Sequence, residues 1–369
     1  MSNLKDKLSS LQERAKERTV KTQGIEYDLE TLVKKISKDI IKLDPEYQRR
    51  HRWDDETSSK LIESLILNIP IPTVYLSQDF DVDTETEESR YSVIDGQQRL
   101  TAIKNFFNGK FPLQGLESLE ELNGCYYKDL PPFLIRRLEE RTIKCLRIDS
   151  TVDDKVKIDI FERLNSGSVK LESQELRNAI YSGPFNNLCK TLAGNETYRK
   201  LLQINLESPE NSSRVKKMED VEIVLRFFSL VRGRYKSFKK TKEKGFKDFL
   251  SDSLGEFNKV SQDSLAEWGR EFIEIMELIY SSFGATAFAK YKFEEGELKL
   301  QSKFNVAVFD ALAVACFELK LAGIKDFTGK KEKFLELFKD GSFYDSISGS
   351  YLDVAKLNFR IDISIATLK

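Results

Sequence analysis

Residues Tyr91-Ser92-Val93-Ile94-Asp95-Gly96-Gln97-Gln98-Arg99-Leu100-Thr101-Ala102 decide how the N-terminal half folds. A short apolar strand pattern ends in Asp-Gly, and a helical pattern starts at once, running from about Gln97 to Phe107 until Asn108-Gly109 stops it. The first turn of a helix has backbone N–H groups without intrahelical partners, and its dipole favours an anion there. Gly96 lets the backbone approach such an anion closely. Gln97 and Gln98 add amide donors, and Arg99 is able to grip a phosphate through two parallel hydrogen bonds. Asp95 is suited to hold a water, a metal or a sugar hydroxyl. The plainer reading of the same residues is a helix start with polar caps.

Working outward, residues 3–20 read as a charged helix with Leu4, Leu8, Leu11 and Ala15 on one face, and residues 28–37 as a second helix carrying Leu29, Leu32, Val33 and Ile36. A short strand follows over Asp39–Leu43, ended by Pro45. Asp54 or Asp55 is the N-cap of a helix bearing Leu61, Ile62, Leu65 and Ile66, which Ile69-Pro70-Ile71-Pro72 breaks. Strands are expected at Thr73–Ser77, Arg90–Ile94 and Thr142–Ile148, with an acidic loop from Asp79 to Glu88. From about residue 153 the pattern is helical: Val156–Asn165, Gln174–Tyr181, Val215–Leu230, Leu265–Phe283, Phe304–Leu321 and Glu332–Phe338. Lys236–Lys247 reads as a basic loop or helix start, and Gly284–Gly296 as a weaker break. The fold class is therefore α+β, a small mixed sheet with helices over residues 1–150 and then an all-α region over 151–369.

The bulk composition excludes several functions. With 369 residues and 40% hydrophobic content, the chain has material for a sizeable core. Its net charge is −1, so nucleic-acid binding has to come from local patches. None of Cys125, Cys145, Cys189 and Cys316 forms a CxxC pair, which argues against zinc or a disulfide framework and for a reducing, cytoplasmic setting. No apolar run approaches the ~18 residues of a membrane span, and the N-terminus lacks a signal-peptide pattern. His51 is the only histidine, so histidine-dependent hydrolase or HNH-type nuclease chemistry is not expected from these residues.

Three further segments carry candidate chemistry. In Asp44-Pro45-Glu46-Tyr47-Gln48-Arg49-Arg50-His51-Arg52-Trp53, three arginines lie within four residues beside a tyrosine and a tryptophan, a composition suited to phosphates and bases and equally to a surface loop anchored by Trp53. In Ile160-Phe161-Glu162-Arg163-Leu164-Asn165-Ser166-Gly167, Glu162 and Asn165 could supply oxygen ligands to Mg²⁺. The continuation Glu175-Leu176-Arg177-Asn178 fits a buried polar network equally well. Between residues 214 and 247 there are twelve Lys and Arg against four Asp and Glu, led by Arg214, Lys216 and Lys217. This is the best local basic patch, and it suits either phosphate contacts on DNA or a solvated helix face.

Together these segments resemble the DUF262 family, the N-terminal module of GmrSD-type restriction systems, with a sulfiredoxin/ParB-like core. Tyr47-Gln48-Arg49…Trp53, the Asp95–Arg99 box, and Phe161–Gly167 with Glu175–Asn178 occur in the family's order, and the resemblance spans roughly residues 20–230. Gly96-Gln97-Gln98-Arg99-Leu100-Thr101-Ala102 is also similar to the Gly-x-x-Arg-x-x-Ala phosphate motif of ParB-type CTPases. The resemblance implies a nucleotide-binding domain over residues 1–150, which the first part of the helical domain completes. It also implies a subunit that binds and hydrolyses a nucleoside triphosphate and associates with DNA in phage defence. Asp95, Gln97, Gln98 and Arg99 would be catalytic. Gln48, Arg49, Arg52, Gly96, Arg99, Thr101, Arg163 and Asn165 would bind the nucleotide. Asp95 and Glu162 would place Mg²⁺, and Arg214, Lys216 and Lys217 would meet DNA. The implied partners are the nucleotide, DNA, and a nuclease or other defence subunit that does the cutting, with self-association an open alternative. The competing expectation is a non-enzymatic, nucleotide-gated adaptor.

Overall fold

The computed structural model describes residues 22–43, 53–82, 89–149, 172–181, 183–241, 244–324, 326–349 and 352–369. The N-terminal helix expected at 3–20 and the one at 156–165 lie outside them. The chain divides into two compact units, residues 1–171 and 172–369. The change of pattern expected near residue 150 lies roughly 20 residues before that division.

In the first unit, β1 (Thr22–Asp28) leads into α1 (Leu29–Ser37), β2 (Ile41–Lys42), α2 (Asp55–Ile66), β3 (Val74–Val82), β4 (Ser89–Asp95), α3 (Gln97–Phe107), α4 (Pro132–Glu139) and β5 (Thr142–Ile148). The sheet order is β1-β5-β3-β4-β2. β1 is antiparallel to β5, β5 parallel to β3, β3 antiparallel to β4, and β4 parallel to β2. Local chemistry starts the helices where expected. The carboxylate of Asp28 accepts from Thr31 N at 2.7 Å to cap α1, and that of Asp54 accepts from Thr57 N at 2.7 Å to cap α2. One sheet face, with Val74, Leu76, Val93, Ile143 and Cys145, buries against Leu29, Leu32 and Ile36 of α1, Leu61, Ile62 and Leu65 of α2, and Leu100, Ile103 and Phe106 of α3.

Three features of this unit differ from expectation. β1 was not foreseen, because Thr-Gln-Gly-Ile-Glu-Tyr-Asp is an edge strand with only Ile25 and Tyr27 apolar. β3 continues to Val82, into the stretch expected to be loop from Asp79. The connection between α3 and β5 contains α4, and its loop is held by Glu63, whose Oε1 accepts from Ser118 N and Leu119 N at 2.8 Å each.

The second unit is built from α5 (Ser173–Ile180), α6 (Pro184–Ala193), α7 (Glu219–Leu230), α8 (Phe246–Phe257), α9 (Gln262–Phe283), α10 (Val306–Leu321) and α11 (Val354–Leu368), with shorter turns between them. α10 is buried almost all round. The unit is not all-α: β6 (Lys290–Glu294) and β7 (Glu297–Ser302) form an antiparallel hairpin through Glu295 and Gly296, both left-handed at φ +56° and +86°. The helix expected over Val215–Leu230 is two pieces, parted at Met218 with φ +55°. At the centre of this unit Asp310 serves two arginines. Arg226 Nη2 and Arg360 Nη2 each donate to Asp310 Oδ2 at 2.5 Å, and all three side chains are essentially buried.

Two outcomes follow from this packing. Asp310→Ala strands two buried guanidinium groups and should cost about 3–5 kcal/mol, read from urea unfolding by Trp268 fluorescence in a Trp53→Phe background. Burial pushes the Cys145 thiol up to about 12, and the thiols of Cys189 and Cys316 higher still, while Cys125 is partly exposed. Titration with a thiol reagent at pH 8 should therefore label one cysteine quickly in the folded chain and all four only after denaturation.

Candidate functional site

The turn between β4 and α3 is the centre of the candidate site. Gly96 is the N-cap of α3 with φ +99°, and as a glycine it makes no side-chain cap of its own. A Cβ at Gly96 would lie 2.9 Å from Val74 Cγ2 and 3.3 Å from Arg99 Nη2, so the residue is required both by its left-handed backbone and by its neighbours. Through this gap the Arg99 side chain folds back over the turn.

Arg99 does not project into solvent. Its Nη2 donates to Asp95 Oδ2 at 2.7 Å, its Nη1 donates to Pro72 O, and both nitrogens lie 3.5 Å from Thr73 O. The guanidinium therefore joins three elements: its own helix, the end of β4 at Asp95, and the residues entering β3. The side chain of Arg99 is 11% exposed and that of Asp95 48% exposed. Asp95 is thus anchored on one oxygen while the carboxylate as a whole remains half open.

The other residues of the box divide in role. Gln97 is buried. Gln98 Oε1 accepts from Trp53 N at 3.2 Å, which brings the end of the Tyr47–Trp53 segment onto the first turn of α3. Gln98 Nε2 is buried with no hydrogen-bond partner among the described residues. Thr101 Oγ1 donates to Gln97 O at 2.7 Å, so its hydroxyl is turned back onto its own helix. Gln48, Arg49, Arg52, Glu162, Arg163 and Asn165 lie outside the described residues. Among the described residues there is no group of three or more His, Cys, Asp or Glu placed to hold a metal.

Residues 29–182 match the family model of the GmrSD restriction endonuclease N-terminal domain. The match is narrower than the span of about 20–230 on which the resemblance rested, and it includes the Asp95–Arg99 turn and α5. No curated protein and no solved structure matches the chain. The end of the GmrSD-type segment, in α5, is a buried network. Arg177 Nε donates to Gln174 Oε1 at 2.8 Å, its Nη2 pairs with Glu222, and Asn186 Nδ2 donates to Asn178 Oδ1 at 2.8 Å. Arg177 thus bonds Gln174 and Glu222, while Glu175 Oε2 accepts from Glu172 N at 2.7 Å.

Beyond the GmrSD-type segment, the basic patch is largely neutralised. Among the described residues, at least seven of its cations have carboxylate partners, six of which lie outside residues 214–247: Glu172, Asp310, Glu271, Glu256, Asp362 and Asp252. Arg214 is packed over the Phe304 ring at 4.6 Å and donates to Leu202 O at 3.2 Å. Lys217 Nζ is 2.9 Å from Glu172 Oε1, and Lys216 is exposed. A count along the sequence could not see these acids. No helix among the described residues is long and apolar enough to cross a membrane.

The Gly96 geometry is open to a direct check. Gly96→Ala should destabilise the chain by more than Gly109→Ala, whose φ is +63° and whose added Cβ meets nothing within 4 Å. The second substitution should cost about 1–2 kcal/mol for the left-handed backbone alone, and equal losses in thermal or urea melts would count against the close packing described.

Proposed function

We propose that this chain is a nucleotide-binding, DNA-associated subunit of a restriction system, hydrolysing a nucleoside triphosphate at the Asp95–Arg99 turn while a partner does the cutting. The match of residues 29–182 to a restriction-endonuclease domain supports the setting. The observation that carries the chemistry is the turn itself: a helix opened by a left-handed glycine, a half-exposed carboxylate before it, and a buried amide donor on Gln98 that has no partner among the described residues. Amides at a helix start, aided by the dipole, suit phosphate oxygens. Asp95, with Glu162, would hold Mg²⁺, which supplies charge neutralisation when bound. Gln97 or Gln98 orients the water whose oxygen joins the γ-phosphorus as the β–γ bridging bond breaks, and its proton leaves with the phosphate. Gln48, Arg49, Arg52, Arg163 and Asn165 complete the contacts to the nucleotide in this reading, with Thr101 supporting the helix through Gln97. Cutting is assigned to a partner because His51 is the only histidine in these 369 residues.

One observation favours a second reading. The guanidinium of Arg99 is already satisfied by protein acceptors, so the box also suits a non-enzymatic adaptor whose turn orders a docking surface. Calorimetric titration of ATP, GTP and CTP with Mg²⁺, paired with a phosphate-release assay, separates the readings. Binding with release is the outcome for the enzyme, and binding without release is that for the adaptor. Failure of all three nucleotides to bind would eliminate the nucleotide reading altogether.

A further inference from the structure

We infer that Arg99 is a positioning residue, one that holds Asp95 as a single-oxygen ligand for the Mg²⁺ of a bound nucleotide, and that it does not itself grip phosphate. The inference rests on the nucleotide reading above and assigns the work within that site. A guanidinium that binds phosphate with two parallel bonds must present one edge of its fork to the ligand. Both terminal nitrogens of Arg99 are already used: Nη2 by Asp95 Oδ2 at 2.7 Å, Nη1 by Pro72 O, and both by Thr73 O at 3.5 Å. The side chain is 11% exposed. Turning it toward a ligand would strip a carboxylate and two backbone carbonyls of their donor.

The same contacts leave Asp95 prepared. Oδ2 is fixed by Arg99, the side chain is 48% exposed, and Oδ1 has no hydrogen bond to any described residue. A carboxylate oriented through one oxygen and open at the other has the form of a hard-cation ligand with a supporting donor behind it. Gly96 belongs to this device, since a Cβ there would press on Arg99 Nη2 at 3.3 Å and on Val74. The spacing Asp-Gly-x-x-Arg then has a geometric meaning. Asp and Arg sit one helical turn apart, and the glycine between them has no side chain to block the arm that joins them.

The test uses the full chain, a fluorescent ATP analogue, and Arg99→Gln, with Arg99→Lys as the second variant should the first fail to fold. Two quantities are measured: nucleotide Kd at saturating Mg²⁺, and the Mg²⁺ concentration giving half-maximal nucleotide binding. For a positioning residue, Kd at saturating Mg²⁺ stays within about threefold while the Mg²⁺ midpoint rises about 10–100-fold. A thirtyfold or greater rise in Kd at saturating Mg²⁺, with the midpoint unmoved, would make Arg99 a phosphate ligand and overturn the inference. A fall in melting temperature with neither quantity changed would make it a structural brace only, which also overturns it. If the parent chain binds none of ATP, GTP and CTP, the nucleotide reading itself fails, and this is seen before any variant is made.

Discussion

The ion pair between Asp95 and Arg99 is the constraint around which the N-terminal unit is organised. It spans the point where a strand becomes a helix, and the same guanidinium reaches the carbonyls that precede the neighbouring strand. A single planar group with several donors is suited to this, because it can serve a carboxylate and backbone oxygens in different directions at once. The end of β4, the start of β3 and the axis of α3 are thereby set relative to one another. The left-handed glycine, the buried Gln97 and the tether from Gln98 to Trp53 all lie within this frame.

Much of the first unit was legible because its signals are local. Asp28 and Asp54 stand immediately before apolar periodic runs and cap them, and α3 begins and ends where Asp-Gly and Asn-Gly predict. β1 was not legible, since it is recognised only by its pairing with β5, and a polar edge strand has little pattern of its own. The β6–β7 hairpin is a different case. Its alternation, Tyr291 and Phe293 against Leu298 and Leu300 around a Glu-Gly turn, was present in the sequence but was read as a break in the helices. Met218 carried no signal, because nothing in a methionine announces a left-handed backbone.

For the candidate site, the sequence names residue types but not the direction in which each side chain is used. Arg99 in a Gly-x-x-Arg box reads as a phosphate ligand, yet its acceptors include the backbone oxygens of Pro72 and Thr73, for which no sequence pattern exists. The basic stretch after residue 214 shows the same limit with charge. A local excess of cations is a statement about neighbours in the chain, whereas the potential at a surface depends on neighbours in space. Acids from α8, α9, α10 and α11 answer five of those cations among the described residues. What persists for solvent is closer to the neutral balance of the whole chain than to that of the stretch.

The position of β5, between β1 and β3, has a consequence for the protein's synthesis. Gln23 and Arg147, bonded across the β1–β5 pair, are 124 positions apart in the chain. At ribosomal rates that distance is on the order of ten seconds of translation. During that time β1 has left the ribosome without the strand it pairs with, and the sheet's central strands cannot be flanked in their final order. The first unit therefore assembles late on its own timescale, with its N-terminal strand a natural client for chaperones until β5 arrives.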